Sequence, residues 1–77
     1  MNYTIAMLDE VHGECSLNLD SHGNKYLVGL YNKTTKDYAH RTLDSIDGAY
    51  DVFETLSKAI CLGLYSFADK KKLLMVA

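Results

Sequence analysis

A chain of 77 residues holds one domain, residues 1–77, and leaves no room for a second core. Its 48% hydrophobic and 23% charged residues are those of a globular chain, which excludes a disordered one. A net charge of −2 gives no bulk attraction to nucleic acid, so direct nucleic-acid binding is not the expected mode.

A domain this small buries only about 60% of the surface its unfolded chain exposes. One core of this size yields roughly 3–5 kcal/mol, so self-association as a homodimer is an alternative worth carrying. Cys15 and Cys61 are far apart, and a single bridge is too few for a disulfide scaffold, so both are expected as reduced, buried thiols. The segment Met1 to Ile5 lacks the basic and apolar regions of a signal peptide. No apolar run nears the roughly 20 residues that cross a bilayer. The expected setting is the cytoplasm, with no membrane partner.

Tyr3 to Leu8 is a mostly apolar run suited to a strand, followed by a turn from Asp9 to Glu14. Cys15, Leu17 and Leu19 then alternate with Ser16, Asn18 and Asp20, the period of a half-buried strand. Asp20 to Asn24 is the strongest turn signal in the chain. Lys25 to Tyr31 reads as a central strand, and Asn32 to Lys36 as the next turn. From Asp37 to Leu43 the pattern is again strand-like, with Tyr38, His40 and Thr42 on one face and Ala39, Arg41 and Leu43 on the other. Short turns make an antiparallel meander, with the first strand free to pair at either edge.

The period then changes. Asp44 or Ser45 caps a helix in which Ile46, Tyr50, Phe53, Ser57, Ile60 and Leu64 form a stripe roughly 80° wide, flanked by Ala49 and Leu56. That stripe is expected on the sheet, and Gly63 marks the end of the helix or a kink. From Tyr65 onward the chain suits a short helix or an extra strand. Ser66 and Asp69 resemble a capping box, and Phe67, Leu73, Leu74 and Leu64 could close one corner of the core. The fold class is α+β: a three- or four-stranded antiparallel sheet, one long helix on a face, and a short C-terminal helix or strand.

Nothing in the chain carries a reaction-specific motif, so no catalytic residue, cofactor or metal site is assigned. His12 and Cys15 are three apart, but no second ligand pair accompanies them. Binding features are clearer. Asp47, Asp51 and Glu54 share a helix face, with Asp44 just before it. They form a ridge suited to a basic protein surface, with Tyr31 and Tyr38 as neighbouring contact area. Val52, Ala59 and Leu62 lie away from the acids, where the C-terminal segment or a second copy would cover them. Lys25, Lys33, Lys36 and Arg41, interleaved with tyrosines, are the alternative, a nucleic-acid-binding or regulatory surface.

The whole plan resembles the small anti-defence proteins of phages and other mobile elements, including anti-CRISPR inhibitors. The likeness lies in the length, the meander from Cys15 to Leu43, and the helix from Ser45 to Leu64 bearing Asp47, Asp51 and Glu54. It implies a non-catalytic, stoichiometric inhibitor whose protein partner is a nuclease or CRISPR effector. It carries over no individual contact residue.

Overall fold

In the computed structural model, residues 2–10, 13–63 and 65–76 are described. His12 and Leu64, considered above as a metal ligand and a stripe residue, lie outside them. Four strands, β1 (Asn2–Asp9), β2 (Cys15–His22), β3 (Lys25–Asn32) and β4 (Tyr38–Leu43), precede two helices, α1 (Ile46–Leu62) and α2 (Phe67–Val76). The strands form one antiparallel meander in the order β1-β2-β3-β4, so the first strand takes the edge beside β2. The tail is a helix.

Turn chemistry sets the register. Two residues join β2 to β3, and Gly23 takes φ +64°, which suits the first central position of a hairpin turn. Between β3 and β4, the buried Asn32 accepts at Oδ1 from the backbone N–H groups of Thr34 and Thr35, at 2.9 and 3.0 Å. The resulting pairs Leu17–Leu30 and Leu19–Val28 put all four side chains on the helix side, each fully buried. The β1–β2 register shifts between Thr4 and Ala6, leaving Ile5 as the extra residue of a bulge.

Helix α1 begins where Ser45 Oγ accepts from the N–H of Gly48 at 3.1 Å. It ends at Gly63, whose left-handed φ of +66° lets its N–H reach the carbonyls of Ala59 and Ile60. The α2 cap forms likewise, with Ser66 Oγ accepting from the N–H of Asp69 at 3.1 Å.

The buried side of α1 is rotated from the expected stripe. Its buried residues are Ala49, Val52, Leu56, Ala59 and Ile60, while Tyr50 is exposed and Ser57 half-buried. The cause is α2, which packs on α1, β3 and β4 and roofs the flank carrying Val52 and Ala59. Burial is therefore centred on Leu56, between the sheet and the second helix. Of the proposed self-association residues, Val52 (1% exposed) and Ala59 (3%) are enclosed by the chain's own fold, and only Leu62 (65%) faces solvent. Cys61, expected inside, is exposed, because at 100° per residue it falls about 140° from Leu56. Cys15 is buried, and both thiols are free.

Candidate functional site: an acidic face on α1

At about 100° per residue, Asp47, Glu54 and Asp51 fall within roughly 40° of the direction opposite Leu56. Deep anchoring of Leu56 therefore aims the three carboxylates at solvent, and all three are exposed. Ser45 fixes where the helix starts. Asp47, in the first turn, lies at the positive end of the helix dipole. Tyr50, which periodicity had placed in the core, stands between Asp47 and Glu54 with 38% of its surface exposed. The signal that would have found it is the second helix, whose packing decides the rotation.

Charge pairing separates the acids into two groups. Asp44 is bonded to Lys25, Asp9 to Lys33 at 2.8 Å, and Asp37 to Lys71 at 2.8 Å. Asp47, Asp51 and Glu54 take part in none of the ion pairs among the described residues. Nor does Lys58, four residues beyond Glu54, pair with it there. The three carboxylates span about 10 Å of rigid helix, taking 1.5 Å per residue, and Lys58 is the next charge on the same face.

Tyr31 and Tyr38 do not join this ridge. By register they face each other on the side of the sheet away from both helices. There Tyr38 stacks on His40 with centroids 5.6 Å apart and planes at 27°. Nearby, Asn18 Nδ2 donates to Asp20 Oδ2 at 2.8 Å, while Asp20 Oδ1 is buried with no hydrogen-bond partner. Burial, with the Asp20 charge second, pushes the Tyr38 phenol above its ordinary range.

Three of the four basic groups, Lys25, Lys33 and Arg41, are occupied within the fold. Besides its bond to Asp9, Lys33 donates to the carbonyl of Glu10. Arg41 points to the helix side, where its guanidinium donates to the carbonyl of Leu74 at 3.2 Å and ties down α2. Lys36 sits in the β3–β4 turn at φ +66°. These four groups do not line one face.

A contact invisible in the sequence is that of Lys70 with Cys15. Lys70 is 8% exposed, and its Nζ donates to Sγ at 3.4 Å. Burial pushes the thiol up, outweighing the opposing effect of Lys70. A buried, protonated thiol is not a nucleophile. Among the described residues no three His, Cys, Asp or Glu side chains are grouped as a metal would require, and no helix is long and apolar enough to cross a membrane. Compared with known proteins, the chain matches no family, and no curated protein or solved structure is significantly similar to it.

Proposed function

We propose that this protein is a small non-catalytic binding protein whose α1 acidic face docks on the basic surface of a protein partner. The occupied surface is one that otherwise holds nucleic-acid phosphates, as in a nuclease or CRISPR effector, so binding inhibits the partner stoichiometrically. The observation that carries the reading is the contrast in charge pairing. Lys25, Lys33 and Lys71 are each bonded to an acid of the same chain, whereas Asp47, Asp51 and Glu54 project outward without an ion pair among the described residues. Long-range attraction from such a patch speeds encounter with a cationic cleft, and Tyr50 supplies contact area beside it. Asp44 contributes at the rim, already shared with Lys25.

The test is affinity capture from host lysate with wild type beside Asp47→Lys/Asp51→Lys. Both side chains are exposed, so the double variant stays folded, with its thermal transition lowered by several degrees because Lys at position 47 opposes the helix dipole. A nucleic-acid-binding protein should be captured by the wild type at one-to-one stoichiometry and lost with the variant. The captured protein should also release its nucleic acid on binding. Equal capture by the folded variant sinks the reading.

A further inference from the structure

The two edges of the sheet are not alike. Edge strand β4 has six residues, includes Arg41 pointing to the helix side, and has both helices packed against it. Edge strand β1 has eight residues, no proline, and no charged side chain before Asp9. Natural sheets blunt their edges with charges, prolines, bulges or a covering element, because an open edge presents unpaired N–H and C=O groups, and of these β1 has the bulge at Ile5. On β1 none of the first two is present from Asn2 to Leu8. The helices lie over β2, β3 and β4, so Ile5, Ala6 and Leu8 touch the core but stay only half-buried. Tyr3 (58%) and Met7 (64%) are among the most exposed large apolar side chains.

The bulge at Ile5 gives this edge a symmetry that a regular strand lacks. By register with β2, Tyr3, Ala6 and Leu8 lie on the helix side, and Asn2, Thr4, Met7 and Asp9 on the open side. An antiparallel pairing of two copies that uses all eight residues sets Asn2 against the second copy's Asp9, Tyr3 against its Leu8, and Thr4 against its Met7. In a regular strand those partners would lie on opposite faces, since side chains alternate one by one. Here the extra residue shifts the alternation by one, and all three pairs share a face. The two-fold axis falls between Ile5 and Ala6.

We infer that β1 pairs with β1 of a second copy in this register. The result is a continuous eight-stranded sheet with all four helices on one side. The strand's own chemistry selects this occupant. Uncharged side chains meet without repulsion, exposed Tyr3 packs on half-buried Leu8, and the Asn2 amide faces the Asp9 carboxylate at each end. A two-fold interface must be self-complementary in this way. The assembly does not depend on the acidic ridge, which lies on the far surface of α1.

Light scattering on the full chain should give twice its 8.6 kDa mass as concentration rises. Met7→Lys, at an exposed position, should leave the fold intact and weaken the dimer at least about tenfold. In a Cys61→Ser background, Thr4→Cys/Met7→Cys should form covalent dimers on mild oxidation, since facing residues bring Cβ atoms within disulfide reach. A wild-type chain that stays at 8.6 kDa up to its solubility limit overturns the inference. So does a dimer that ignores Met7→Lys and fails to cross-link, because it would use another surface.

Discussion

The thiol of Cys15 lies between β2 and α2, with the Lys70 nitrogen 3.4 Å away. Burial holds its pKa above the unfolded thiol value of about 8.5. A raised folded-state pKa means the stabilisation is complete below the unfolded value and is lost as pH rises through the folded one. The urea midpoint should therefore fall as pH rises above the unfolded thiol value, and Cys15→Ala should flatten that decline while lowering stability at pH 7. Tyr38, also raised, adds a loss of the same sign at higher pH, which Tyr38→Phe should remove. An unchanged alkaline slope in Cys15→Ala would refute the assignment. The alternation with Leu17 and Leu19 made the burial of Cys15 legible. Lys70 was not legible, because Lys70, Lys71 and Lys72 read alike until α2 docks. Docking then turns one to the core, one to Asp37 and one to solvent.

At the scale of the element, α1 is the piece that aims the ridge, so its ends and its rotation are the places to perturb. Ser45→Ala removes the Gly48 hydrogen bond and should cost about 1 kcal/mol in chemical denaturation. Leu56→Ala should cost roughly 2–5 kcal/mol, because Leu56 is fully buried at the centre of the packed face. Asp47→Ala, on the opposite side, should stay within about 0.5 kcal/mol. If Leu56→Ala were as mild as Asp47→Ala, the orientation of α1 would be wrong and the ridge with it. The caps were readable to within one alternative each, Asp44 or Ser45 at the start and an end or a kink at Gly63, since cap geometry is local. The rotation was not, because Ile46, Tyr50 and Phe53 make an acceptable stripe for a helix on a sheet alone. Only the second layer over Val52 and Ala59 selects the true face.

For the whole molecule, the radius of gyration of 11.6 Å matches the roughly 11.5 Å of a compact chain of this length. The meander from Cys15 to Leu43 was legible because its turns carry their own signals, whereas the place of β1 beside β2 was left open between the two edges. The site was legible in part. The spacing of Asp47, Asp51 and Glu54 put them on one face, but the side of the sheet taken by Tyr31 and Tyr38 depends on long-range packing. The proposed dimer would carry two acidic ridges on the same side of an eight-stranded sheet. Linked ridges engage a partner with two basic clefts far more tightly than one ridge does. Met7→Lys should thus weaken capture of a two-cleft partner and leave a one-cleft partner unaffected, which a titration of each would distinguish.

The order of elements also governs how the chain is made. All four strands precede both helices, so Leu17, Leu19, Val28 and Leu30 leave the ribosome with nothing to cover them. At roughly 5–20 residues per second, the wait for residues 46–76 is about 2–6 s. During that interval the newborn sheet shows water an apolar face and two open edges, the state in which a nascent chain most needs a chaperone.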